Sequence, residues 1–283
     1  MISATLLGQS VLSGLFTGCL YAMLGLGMTL TWRYLKVINL AHFAYVFIAA
    51  YLTYQLVGKS GWHPLAAAAL LIPLFFLVGV AQQALIWHYK VDEFASVIVT
   101  FGVAIIAEAA IQWIWSADFL KLESTWLHGT TRLAGLYWPK GEMIMSAVAV
   151  AMCMATWAVL RFTWLGRALR AGLDNPAIAA SFGVPNEKLA FLVAGASGAS
   201  TAIGGVFVAL LFTLAPAQIF AWFGVVFAAA LLGGLGNPLG ILAAGLLLGV
   251  SEAVTMAITA PSWAPVVPFT ILMIILLLWP ERV

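Results

Sequence analysis

Residues 9–32 read QSVLSGLFTGCLYAMLGLGMTLTW. This run carries no charge, and none precedes it before Arg33. As a helix it would extend about 36 Å at 1.5 Å per residue, enough to cross the roughly 30 Å hydrocarbon core of a bilayer. A secretory signal needs a basic head and a shorter apolar centre, so the run reads as a first membrane span. The rest of the chain agrees. Of 283 residues, 64% are hydrophobic and 8% charged, against roughly 25% charged in a soluble domain. A soluble core cannot hide that much apolar surface, but lipid can accept it.

Further apolar windows fall at 41–58, 64–87, 94–115, 143–160, 188–213, 222–235, 239–258 and 266–280. The fold expected is an all-α polytopic membrane protein, a single transmembrane domain over 1–283. It has eight or nine transmembrane helices, some discontinuous, because 222–235 is short and interrupted by Gly. The pieces 33–42 and 233–238 are candidates to re-enter the membrane. The runs are continuously apolar, without the period-two alternation of a membrane β-barrel.

With nine spans, one side receives Arg33, Lys36, Lys90, Arg161, Arg167, Arg170, Lys188 and Arg282; the other receives Lys59, Lys121, Arg132 and Lys140. The excess of basic residues on the first side makes it cytoplasmic, with the N-terminus out and the C-terminus in. Residues 116–142 then form a periplasmic loop, and its Trp126, Tyr137, Trp138 and Pro139 are expected to cap the outer face. The net charge of +2 gives no reason to expect nucleic acid; the surrounding partner is membrane lipid.

Small residues recur every four positions: Gly14, Gly18 and Ala22; Gly195 and Ala199; Gly245, Gly249 and Ala253. Such ridges let helix backbones approach closely in lipid. Cys19 and Cys153 both lie in apolar stretches, so no disulfide framework is expected. No cluster of His, Cys, Asp or Glu has the spacing of metal ligands. No G-x-x-x-x-G-K-[ST] loop is present, so ATP-driven work requires another subunit.

Polar residues inside apolar windows mark the candidate pathway, because a charge at mid-span costs about 2.5–3.5 kcal/mol unless it faces protein or water. Thr100, Ala104, Glu108 and Gln112 follow at intervals of four and form a stripe. Gly245, Gly249 and Glu252 share a face, aiming that carboxylate at a neighbouring backbone. Each carboxylate either hydrogen-bonds between helices or lines the translocation path. Asn39 is suited to cap the second span, with His42 in its first turn. A helix start at membrane depth offers N–H groups to a solute carboxylate or carbonyl. Gly195-Ala196-Ser197-Gly198 matches an intramembrane protease nucleophile motif. Those enzymes take their base from a later helix, whereas the histidines here, at 42, 63, 88 and 128, all precede Ser197.

Residues 161–187 form the longest loop on the basic side. It contains Arg167, Arg170 and Asp174, then a short helix begun by Pro176, capped by Asp174 or Asn175, and ended at Gly183. A helix of small residues with little of its own chain to pack on points to a docking partner.

In order and spacing these pieces resemble the permeases of ATP-binding-cassette importers of the branched-chain amino acid and amide/urea class. Gly14 to Ala22 resembles the family's opening helix. Asn39-Leu40-Ala41-His42 resembles its Asn-Phe-Ala-His motif, and Thr100-Phe101-Gly102 its Thr-x-Gly. Gly166 to Gly183, with Ala179, Ala180 and Gly183, resembles the ATPase-coupling loop. Gly233 to Gly240 and Gly249-Val250-Ser251-Glu252 resemble the C-terminal motif. The resemblance implies a bacterial-type inner membrane, a second permease subunit, two cytoplasmic ATPase subunits carrying ATP and Mg, and a periplasmic solute-binding protein. It implies no cofactor in this chain and no enzyme activity of its own. Phe43 stands where the family usually has Gly, which widens the range of solutes to be considered. The rival is a self-sufficient proton-coupled transporter using Glu108, Glu252 or His42.

Overall fold

The computed structural model describes residues 4–123, 125–127, 129–133, 135–259 and 261–278. Arg282 and the last two positions of the expected span 266–280 lie outside them, as does His128. Eleven α-helices follow one another among the described residues: α1 (Ala4–Leu35), α2 (Ala41–Thr53), α3 (Pro64–His88), α4 (Glu93–Trp115), α5 (Lys140–Phe162), α6 (Trp164–Asp174), α7 (Pro176–Ser181), α8 (Asn186–Leu211), α9 (Gln218–Gly233), α10 (Pro238–Ile258) and α11 (Val266–Leu278). Seven are long and apolar enough to cross a membrane: α1, α3, α4, α5, α8, α10, and α2 together with a π-helical continuation over Tyr54–Lys59. Helices α9 and α11 are shorter and apolar. Every expected apolar window therefore corresponds, among the described residues, to a helix.

Local chemistry explains several boundaries. Pro64 and Pro238 stand in the first turns of α3 and α10, where a missing N–H costs nothing. His63, Asp92 and Asn237 accept first-turn N–H groups as side-chain caps. One expected cap is absent. Asn39 does not cap α2; Leu40 occupies that position with no side-chain hydrogen bond, and Asn39 turns its amide to Gln82 of α3 instead. The tertiary partner replaces the local one because this helix start is packed in protein.

Helix α1 is the centre. From Cys19 to Thr29 every residue is buried, as a helix surrounded by other helices must be. Its main partner is α10, and the contact is made at glycine. A Cβ on Gly18 would lie 2.5 Å from the Gly245 carbonyl oxygen, and one on Gly14 would lie 2.6 Å from Val250 Cα. Helix α8 is the second pillar, packed on α3, α2 and α1, with Gly198 against the Phe75 carbonyl and Gly205 against that of Val46. Helices α3, α4 and α5 form the periphery and expose rows of large apolar side chains.

The two ends differ. At one, the α1–α2 linker, the α3–α4 turn and the α5–α8 connection line one cavity, and the α9–α10 turn meets Arg33 through Gly236. At the other, the hairpin β1 (Thr130–Leu133) with β2 (Leu136–Pro139) is tied to α1 by two hydrogen bonds between Gln9 and Tyr137. Leu120 pairs with Leu214 there through both backbone bonds.

Candidate functional site

The linker 36–40 is non-helical, yet Val37 and Asn39 are buried, so its backbone groups need protein partners. Thr100 supplies two. The Leu40 N–H donates to its Oγ1 at 3.0 Å, and its hydroxyl lies 3.1 Å from the Ile38 carbonyl and 2.7 Å from that of Ser96. Thr100 thus staples the linker to α4.

Behind the linker is a buried polar cluster. His42, 1% exposed, donates from Nε2 to the Leu24 carbonyl at 2.8 Å. A carbonyl only accepts, so Nδ1 is the accepting nitrogen, and the Ser197 hydroxyl donates to it at 3.4 Å. Asn39 Nδ2 donates to Gln82 Oε1 at 3.4 Å, while the buried Asn39 Oδ1 has no partner among the described residues. These groups, with Gln83, surround a cavity of about 10 Å³, room for about one water. Ser197 and His42 do meet, although every histidine precedes the serine in sequence: the fold, not chain order, sets the pairing. The space beside them admits no peptide.

The other candidates lie elsewhere. Phe43, 1% exposed, faces away from His42's cavity and packs edge-on against Phe223 of α9 at 5.5 Å. Beside it is a small cleft lined by Phe101, Phe220 and Phe223. Glu108 is half-buried and Gln112 exposed on α4, joined by a 3.2 Å bond from Gln112 Nε2 to Glu108 Oε1. Thr100 and Ala104 of the same stripe are buried, so the stripe drifts from the packed face to the outward one. Glu252 is half-buried and accepts a 2.8 Å hydrogen bond from the Tyr21 hydroxyl, across the glycine contact of α1 and α10. Among the described residues Asn39 and His42 share one cavity, Thr100 holds their linker, Glu108 and Gln112 share a hydrogen bond, and Phe43 and Glu252 lie apart from these.

The loop 163–185 is two helices. Helix α6 puts Ala168 and Leu169 inward and Arg167 and Arg170 outward; Arg170 Nη1 also donates to the Leu160 carbonyl at the end of α5. Asp174 ends α6 and is exposed. Asn175 caps α7 by accepting from the N–H groups of Ala177 and Ile178 at 3.1 and 3.0 Å, and Pro176 is its first residue. Helix α7 buries Ala179 and exposes Ala180, Ile178 and Phe182. Gly183 ends it at φ +82°, a left-handed position suited to glycine.

A family model described as branched-chain amino acid transport system / permease component matches residues 10–276. The chain belongs to this family. It is similar to the high-affinity branched-chain amino acid transport system permease protein LivH of Salmonella typhimurium, at 23% identity with 97% of this chain and 94% of that protein covered. BraD of Pseudomonas aeruginosa, a permease protein of the same description, shows the same identity and coverage. A probable branched-chain amino acid transport permease protein of Methanocaldococcus jannaschii is 26% identical over 83% of this chain and 76% of its own length. No solved structure matches. The chain is thus a multi-span membrane permease component of a transport system and not an enzyme.

Three residues of this permease escape a reading by sequence. Gln82 and Gln83 interrupt an apolar window, and that interruption was the available signal; Gln82 is half-buried against Asn39 and Gln83 is buried. Tyr21 lies within an uncharged span, and nothing local marks it as the partner of a carboxylate on α10.

Proposed function

We propose that this permease is the channel-forming subunit of an ATP-binding-cassette importer for branched-chain amino acids or closely similar small solutes. It pairs with a second permease subunit in a bacterial-type inner membrane. Two cytoplasmic ATPase subunits, which carry ATP and Mg, drive it, and a periplasmic binding protein feeds it. The names of its relatives supply the solute class. The N-terminus is outside, and the end bearing Arg33, Lys36, Lys90, Arg161, Arg167, Arg170 and Lys188 is cytoplasmic, in keeping with the positive-inside rule.

The observation that carries the coupling role is α7. It is capped by Asn175, ended by a left-handed Gly183, and displays Ile178, Ala180 and Phe182 away from its own chain. An apolar face at an aqueous end is a surface for a partner, here the ATPase. Arg167, Arg170 and Asp174 frame it. The second permease covers the outward face of α4, where a half-exposed Glu108 beside exposed Gln112 would otherwise face hydrocarbon at a cost of about 2.5–3.5 kcal/mol. Asn39 and His42 border the inner part of the route, Thr100 holds the linker that carries them, and Phe43 narrows the route elsewhere, at the aromatic cleft with Phe101, Phe220 and Phe223.

The test uses two glycines in equal strain. Gly183 and Gly61 have φ +82° and +71°, and neither would meet another atom through an added Cβ. Valine at either site costs about 1–2 kcal/mol of backbone strain, but only Gly183 ends α7. Gly183→Val should leave insertion intact and separate ATP hydrolysis from solute uptake, whereas Gly61→Val should leave coupling unchanged. Normal coupling in Gly183→Val transporters would remove α7 from the ATPase contact.

A further inference from the structure

The cavity at the α7 end of the chain is about 720 Å³, bounded by the ends of α1 and α3 and by α6 and α8. Two lysines line it, and both have unusual backbones. Lys36 follows α1 with φ 53°, and Lys90 follows α3 with φ 50°. Each ends its helix in the left-handed conformation that glycine or asparagine ordinarily fills. At Lys90 the Val91 N–H closes back on the Ile86 carbonyl at 3.1 Å, the six-residue closure of a Schellman turn. Two helices that stop on lysine instead of glycine, beside one cavity, retain side chains there at a backbone cost.

A second observation is independent of the lysines. Gln83 is 7% exposed and makes no side-chain hydrogen bond among the described residues. It lines both this cavity and the small one that holds Asn39, His42 and Ser197. Beyond it, on the small cavity, the buried Asn39 Oδ1 has no donor among the described residues. The Gln83 amide is thus held by no protein group among the described residues and opens onto the cavity, available to whatever enters. Between lysines and amides the wall is aliphatic, with Ile86, Val91, Leu169 and Leu173. Asp92 and Glu93 also line the cavity; Asp92 is engaged in capping α4 through Ala95.

We propose that this vestibule is a solute-binding site on the inner side of the permease, built for a zwitterion with an aliphatic side chain. Lys36 and Lys90 take the carboxylate. Gln83 Oε1 accepts from the ammonium group, and the four aliphatic residues enclose the side chain. The site lies within one chain, next to the coupling helix, where an occupying solute is sensed at the ATPase contact. The proposal rests on the importer reading above, and names where that importer holds its solute before release.

The assembled transporter, without binding protein or nucleotide, is titrated with radiolabelled leucine. Losing a charged hydrogen bond of about 1.5–3 kcal/mol should weaken binding at least about tenfold. Lys36→Gly/Lys90→Gly is the informative variant, because glycine relieves the left-handed backbone. It should melt no lower than the parent and yet lose leucine. Gln83→Leu should also weaken binding. 3-Methylbutylamine, which lacks the carboxylate, should compete poorly with leucine at the parent site. In a variant free of Cys19 and Cys153, a Gln83→Cys thiol should react with a water-soluble reagent from the inner side, more slowly with leucine present. Unchanged leucine affinity in both the glycine pair and Gln83→Leu, with binding-protein-stimulated ATP hydrolysis intact, overturns the site and leaves the importer standing. Absence of ATP-dependent uptake by the unaltered assembly overturns the importer reading itself.

Discussion

Tyr21 and Glu252 join α1 to α10 through one hydrogen bond of 2.8 Å between residues 231 positions apart. Tyr21 is 8% exposed, so water cannot readily replace the carboxylate. Glu252→Gln retains an acceptor, and should cost well under 1 kcal/mol if the neutral bond forms. Glu252→Leu leaves the tyrosine hydroxyl buried without an acceptor, which costs about 1–3 kcal/mol. Adding Tyr21→Phe to Glu252→Leu removes that orphan and should return part of the loss. Hydrogen bonds in membrane bundles couple by about 0.6 kcal/mol on average and at most about 1.7. A bond to an ionisable group, held by the glycine contact of the same two helices, should lie near 1 kcal/mol, about a fivefold change in the folded-to-unfolded ratio. The assay is a double-mutant cycle on unfolding in mixed micelles, with uptake measured on the same proteins. Coupling indistinguishable from zero, or equal destabilisation by Gln and Leu, refutes the structural role. If Glu252→Gln is as stable as the parent and transports nothing, the charge itself serves transport and the bond is incidental.

Thr100→Val keeps the shape of the side chain but strips the groups that bind Leu40 and Ile38; losing those buried partners should lower stability by about 1–3 kcal/mol, and protease should reach the 36–40 linker sooner. Equal cleavage rates would show that the linker is held by other contacts. Phe43→Gly should alter uptake rate or solute range more than Phe47→Gly, since Phe43 lines the aromatic cleft while Phe47 packs on Trp222; equivalent transport profiles for the two variants would count against Phe43 as the narrowing residue.

What the sequence made legible follows from how strongly lipid constrains it. A span must be about 20 apolar residues, so each window corresponds to a helix, and the expected second span, 41–58, differs mainly in finishing as a π-helical turn. The capped α7 could be read because Asn175, Pro176 and Gly183 act locally. Tertiary pairings could not. Helix α4 is apolar around most of its circumference, and nothing in its own residues tells that Thr100 turns inward to a linker while Gln112 turns outward. Asn39 looked like a cap because capping is the local use of asparagine; Gln82, in the next helix, drew it away. Lys36 and Lys90 carry no mark of left-handed backbone, since lysine is a common and favourable residue in the ordinary last turn of a helix.

The glycine contact between α1 and α10 also bears on how the chain is made. About 200 residues separate the end of α1 from the start of α10. At about 5–20 residues per second, synthesis takes roughly 10–40 s to supply the partner. During that interval the first helix sits in the bilayer with its closest-packing surface uncovered and Tyr21 without its acceptor. A pair whose backbones are in close contact in the finished bundle is thus also among the last to meet. A nascent chain arrested before residue 238 leaves that ridge exposed, a surface by which membrane quality control can distinguish an unfinished permease from a complete one.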